Sequence, residues 1–314
     1  MPENFETKGA PSAESLDKKS VEQAVTVENL EQAGKLTAGS FERKLEKYRD
    51  LPFHNPDHSL EDVASGVQKF LEIVKKEDPS LVSDEDLLLA KLEALGHDLV
   101  QNAETKNQDG TPLEMRRRHR GFGPTDKTGM GREGNEWKSA EALLSEMGRY
   151  QYPDGRKVFA VDNPAFRERI QADIAATYPE SEFNQETGLK IYQPYLTPES
   201  SLSALSLATA DLRGPVSSPN YEDFKQSGDA EFRELKTKIA VEIEGGIEKI
   251  PQERREQIVK EIIGWKKTQI SFAEWQLKLF EESIENNQTL KKSPKANEIT
   301  EALKSEYIPK IKAN

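Results

Sequence analysis

The stretch Ser59-Leu60-Glu61-Asp62-Val63-Ala64-Ser65-Gly66-Val67-Gln68-Lys69-Phe70-Leu71-Glu72-Ile73-Val74-Lys75-Lys76 decides the fold class. Val63, Val67, Phe70, Leu71 and Val74 recur at the three- and four-residue intervals that line one face of an α-helix. Ser59 reads as the N-cap, with Asp62 as its capping-box partner, and Pro79-Ser80 ends the helix. No run with period-two alternation stands out elsewhere, and no internal repeat is evident. The expectation is an all-α chain.

Outward from this helix the same pattern returns. Ser83-Asp84-Glu85-Asp86 opens a second helix with acidic groups at the favourable end of the dipole, and Leu87, Leu88, Leu92 and Leu95 form its core face. Residues 102–134 read as a polar, Gly-rich loop, locally basic at Arg116-Arg117-Arg118-His119-Arg120. Helices are expected from about Asn135, from Asn163-Pro164 to Thr177-Tyr178-Pro179, and over Ser200–Leu212, with 180–198 an irregular connection. Beyond 216 the helical patterns are Phe232–Ile243, Glu253–Lys267 and Ser271–Ile284. The aromatics Trp265, Phe272, Trp275 and Phe280 read as helix packing. Towards the N-terminus, Phe41, Leu45 and Tyr48 keep helical spacing, and order is expected to start near Ser40. Residues 1–36 hold few large apolar side chains and read as a disordered arm with a transient helix near Val21–Ala33.

Composition narrows the function. Charged residues make up 32% and hydrophobic ones only 35%, with a mean hydropathy of -0.78, which suits helices with wide solvated faces. A net charge of -12 argues against a surface that coats nucleic acid, though not against a local phosphate pocket. With no cysteine there are no disulfides and no thiolate metal sites. No segment approaches the roughly 18 consecutive apolar residues of a membrane helix, and Met1-Pro2-Glu3-Asn4-Phe5-Glu6 lacks the flank and core of a signal peptide. The expectation is a soluble, cytoplasmic protein with no membrane partner; the oligomeric state stays open.

Chemistry concentrates at the start of the opening helix. The chain has four histidines, and His54, His58 and His97 fall in two short segments, Phe53–Val63 and Leu95-Gly96-His97-Asp98-Leu99. Imidazole is the commonest neutral metal ligand and the side chain best suited to proton transfer near neutral pH. Asp211 ends the apolar run Ser206-Leu207-Ala208-Thr209-Ala210, where a buried carboxylate needs a partner. Brought together, His58, His97, Asp98 and Asp211 make a mixed N/O site suited to Mn, Fe, Co, Ni, Zn or Mg. The competing reading is a buried polar cluster with satisfied hydrogen bonds.

These residues match the H…HD…D signature of the HD-domain metal-dependent phosphohydrolase superfamily. Phe53-His54-Asn55-x-x-His58-x-x-x-Asp62-Val63 resembles the YHNxxHxxDV element of its cyclic-nucleotide-phosphodiesterase-like branch. Asn135-Glu136-x-x-Ser139-Ala140 resembles the NExxSA element of the small bacterial HD phosphohydrolases, and Ala176-Thr177-Tyr178-Pro179 followed by Ala210-Asp211-Leu212 fits their order. The resemblance covers roughly residues 40–215.

The resemblance implies an HD-domain helical bundle over residues 37–215, and the helical patterns of 216–314 add C-terminal helices expected to pack on it. It implies one divalent metal ion held by His58, His97, Asp98 and Asp211, and hydrolysis of a phosphoester of a nucleotide or other small phosphorylated substrate. His54 is the candidate proton donor to the leaving oxygen, Glu136 the candidate for orienting the water, and Asp62 a candidate partner of a ligating imidazole. Arg116, Arg120, Lys127 and Arg132 are candidates for clamping substrate phosphate, against a plain solvated loop. Leu99-Val100-Gln101-Asn102 lacks the acidic residues of the guanosine-tetraphosphate hydrolases and of the bacterial 5′-nucleotidase branch. The histidines that complete a second metal in the phosphodiesterases are also missing. This leaves a non-catalytic HD module, binding a metal or nucleotide for structure or signalling, as the alternative. A further alternative is an interaction protein built from the C-terminal helices.

Overall fold

The computed structural model describes residues 24–101, 134–184, 188–212, 220–286 and 290–313. Strand β1 (Val25–Thr26) leads into helix α1 (Leu30–Leu45), which Asn29 caps by accepting from the Gln32 amide at 2.8 Å. Val27, Ala33 and Thr37 are buried. Order therefore begins ahead of Ser40, and the reading of 1–36 as a single disordered arm does not hold for Val25–Leu36. Small residues account for the difference: α1 buries Ala33, Gly34, Thr37 and Ser40 beside Phe41 and Leu45, a face that a search for large apolar residues passes over.

The helix with the decisive stripe starts earlier than Ser59. Asn55 Oδ1 accepts from the His58 amide at 3.1 Å and Pro56 is the first helical residue, so cap and proline sit where helix starts favour them. Ser59 is buried within the helix and caps nothing. Residues His58–Val63 form a π-turn, closed by the Ala64 amide on Ser59 O, and α2 (Ala64–Glu77) continues with Val67, Phe70, Leu71 and Val74 buried.

Helix α3 (Asp84–Gly96) begins on the expected serine: Ser83 and Asp86 form a reciprocal capping box. From Leu92 to Leu99 every residue is buried, so this helix runs through the middle of the bundle. Helix α4 (Asn135–Met147) packs on α3. It leads into β2 (Tyr150–Gln151), which pairs in parallel with β1. Helix α5 (Pro164–Ala175) is capped by Asn163, as its Asn-Pro start predicts. Strands β3 (Glu180–Asn184) and β4 (Gly188–Tyr192) pair antiparallel, which corrects the reading of 180–198 as irregular. Helix α6 (Leu202–Asp211) is buried from Ser203 to its end and packs on α2 and α5.

The C-terminal region departs from the expected helix bounds. Phe232–Ile243 is not one helix: α7 (Tyr221–Leu235) and α8 (Thr237–Glu244) meet at Lys236. Glu253–Lys267 and Ser271–Ile284 are one helix, α9 (Gln252–Asn286), followed by α10 (Pro294–Ala302) and α11 (Ile308–Ala313). Strand β4 lies along α9, and α10 touches α2. Tyr221, Phe224, Phe280 and Tyr307 belong to the same contiguous apolar core as Val67 and Leu92. The structure is predominantly all-α, and among the described residues no helix is long and apolar enough to cross a membrane.

Candidate metal centre

Three elements deliver the four expected residues to one point. His58 comes from the π-turn ahead of α2, His97 and Asp98 from the end of α3, and Asp211 from the last turn of α6. Each offers one ligand atom, and these atoms lie within 4.8 Å of one another. His58 Nε2 and His97 Nε2 both lie 3.1 Å from Asp211 Oδ1, and His97 Nε2 is 3.2 Å from Asp98 Oδ2. His58 is fully buried, and Asp98 and Asp211 are only 6% and 7% exposed. Two carboxylates so far from water need positive charge beside them.

The hydrogen bonds around the cluster show where that charge belongs. His97 Nδ1 donates to Ala94 O at 2.7 Å, which turns the Nε2 lone pair of a neutral ring towards the carboxylates. Lone pair would then face lone pair across 3.1 Å unless a proton or a cation intervenes. Of the two imidazoles, His97 faces both carboxylates at close range. Burial opposes its charge, but Asp98 and Asp211 outweigh burial and hold its pKa well above the ordinary value. His58 goes the other way, because burial lowers its pKa more than Asp211 raises it. Burial would raise both carboxyls, yet His97 foremost overrides it, lowering Asp98 and bringing Asp211 down to about 2. Asp98 Oδ2 and His58 Nδ1 are buried and have no hydrogen-bond partner. The donor set, two imidazole nitrogens and two carboxylate oxygens with one oxygen orphaned, fits a divalent ion of the N/O-binding kind.

His54 stands beside the cluster, its ring 6.0 Å from that of His58. Its Nδ1 is bonded to Glu234 Oε1, and Glu234 Oε2 accepts from the Phe53 and His54 amides at 2.8 and 3.0 Å. Glu234 is on α7, buried, and was not expected here. Burial would raise its pKa, but His54 lowers it below the ordinary glutamate value. Nothing local in Phe232-Arg233-Glu234-Leu235 marks this glutamate out from the others of the helix.

The remaining expectations divide. Asp62 is half-buried and does not orient His58, whose Nδ1 has no hydrogen-bond partner. Glu136 lies in the first turn of α4, half-buried. Its neighbour Asn135 is linked to Asp98 through Gln101, two residues whose part here the sequence did not announce. Arg116, Arg120, Lys127 and Arg132 lie outside the described residues.

Comparison with protein-family models, with curated proteins and with solved structures finds no match for this chain.

Proposed function

We propose that the chain is a metal-dependent phosphohydrolase of the HD kind, cleaving a phosphoester of a nucleotide or another small phosphorylated molecule. The observation that carries this reading is the convergence of His58, His97, Asp98 and Asp211 in a buried cluster whose ligand atoms could hold a metal ion. A bound divalent ion would supply an activated water at neutral pH and offset phosphoryl charge. The protein's own groups supply the rest. Glu234 engages Nδ1 of His54 and fixes the ring, so proton transfer at this ring would run through Nε2. Glu136, in the first turn of α4, is the proposed carboxylate for orienting the water.

Metal analysis of the purified chain, paired with a panel of phosphatase and phosphodiesterase substrates, tests the proposal. Bound divalent metal with turnover that His97→Ala abolishes is the expected result. No bound metal and no turnover with any divalent ion overturns it.

One observation favours a second reading, a non-catalytic module that keeps the ion for structure or signalling. Gln101 belongs to the segment that lacks the acidic residues of the guanosine-tetraphosphate hydrolases, and both ends of its amide are committed, to Asp98 and to Asn135. Under this reading His97→Ala lowers thermal stability while no activity exists to be lost.

A further inference from the structure

We infer that Gln101 and Asn135 form an amide relay that positions Asp98 for the metal, with Gln101 as the positioning residue and Asn135 fixing its polarity. The inference rests on the metal reading of the His58, His97, Asp98 and Asp211 cluster. Gln101 Nε2 donates to Asp98 Oδ1 at 2.5 Å, and Asn135 Nδ2 donates to Gln101 Oε1 at 3.1 Å. A carboxylate can only accept, so Gln101 must turn its NH2 to Asp98 and its carbonyl to Asn135. Asn135 must then answer with its own NH2. The orientation of both amides follows outward from the aspartate.

The consequence lies at the other oxygen. With Oδ1 held by Gln101, Asp98 Oδ2 faces His97 Nε2 at 3.2 Å and His58 Nε2 at 3.8 Å, and no hydrogen bond claims it. The relay divides the work of one carboxylate between an anchored oxygen and a ligand oxygen. Its frame is fixed independently of the side chains. The Gln101 amide donates to Tyr48 Oη at 2.7 Å and the Val100 amide donates to Ser139 Oγ at 3.0 Å. Substituting the Gln101 side chain therefore removes the relay and leaves the backbone anchors in place.

Titration of the full chain with cobalt(II), followed by visible absorption, tests this, with thermal unfolding of the metal-free protein recorded beside it. Gln101→Leu is expected to weaken cobalt binding roughly 10- to 100-fold, the usual effect of removing a group that orients a ligand. Asn135→Asp is expected to weaken it more than Asn135→Ala. The aspartate forces one acceptor–acceptor contact along the chain, whichever way Gln101 turns, whereas the alanine leaves the bond from Gln101 to Asp98 intact. A merely structural role for Asn135 gives the reverse order, since aspartate is the closer match in shape. If Gln101→Leu loses its cooperative unfolding transition, the order of the two Asn135 variants decides. Unchanged cobalt affinity in Gln101→Leu and Asn135→Asp overturns the relay alone. Failure of the unsubstituted chain to bind cobalt, manganese or zinc overturns the metal reading and the relay with it.

Discussion

Glu234 holds His54 from 180 positions away, with one carboxylate oxygen on the ring and the other on two backbone amides. The contact makes the C-terminal helices part of the candidate site. Replacing Glu234 with Gln keeps the shape and removes the charge that faces the His54 ring. The expected result is a kcat about 100-fold lower or worse, the low end of what a positioned proton donor contributes, with metal content unchanged. Turnover measured beside metal analysis checks both halves; normal kcat removes His54 from proton transfer.

The pair Glu93 and Asp173 predicts a pH dependence of stability. Neither oxygen of Glu93 has a hydrogen-bond donor, and neither does Asp173 Oδ2, so these buried carboxyls have only a shared proton to join them. Arg169 lies 3.0 Å from Asp86 and 3.7 Å from Asp173, and Ser201 donates to Asp173 at 2.7 Å. Burial first, then the Asp173 carboxyl, raises the Glu93 pKa well above its ordinary 4.5, and burial raises Asp173 as well. The native state keeps a proton that the unfolded chain releases, so stability is full below pH 4.5 and falls as pH rises towards the native pKa. Glu93→Gln has no proton to lose. It is expected to match the parent near pH 4 and to exceed it at pH 8, the gap opening by at most about 1.4 kcal/mol per pH unit. Denaturant melts across that range check it, and parallel profiles would refute the shared proton.

The cap at Asn55 couples stability to the site. Its side chain accepts from the amide of His58 itself at 3.1 Å, so Asn55→Ala frees the peptide that carries a candidate metal ligand. The expected cost is about 1 kcal/mol of stability, typical for a lost N-cap, together with weaker cobalt binding. Ser59→Ala, at the residue that resembles a cap in sequence, is expected to spare the cap hydrogen bond. Comparing the two variants by thermal melt and cobalt titration distinguishes them.

Truncation after residue 216 is expected to fail as a route to a separate folded unit. It removes Tyr221, Phe224, Phe280 and Tyr307 from a shared core, and Glu234 from His54. Circular dichroism of the shortened chain checks this; a cooperative melt at the parent temperature would show the C-terminal helices to be dispensable.

What the sequence made legible was what is local or chemically scarce. His58, His97, Asp98 and Asp211 could be named because histidine is rare here and the two segments sit in a known order. Ser83 and Asn163 could be placed at helix starts because the partner of each capping bond is a few residues away. Glu234 could not, because its partner is distant and its helix holds other glutamates. The hairpin of β3 and β4 was missed because five-residue strands carry little periodicity. Helix α9 was split in two because its apolar stripe weakens in the middle, where Lys266 and Lys267 are exposed.

The π-turn at His58–Val63 holds one residue more than an α-helical turn of the same reach would. The element that this stretch resembles places two residues between its second histidine and Asp-Val, and here Ser59, Leu60 and Glu61 intervene. A π-turn houses one residue more than an α-helical turn and returns the helix to its former phase. The extra residue is absorbed at the site itself, so the core stripe of α2 keeps its register. A single deletion inside a helix normally rotates everything beyond it by about 100°; removing the exposed Glu61 here would let the turn relax to an ordinary one. The α2 stripe would stay seated, and the helix start that carries His58 would keep its phase towards Asp211.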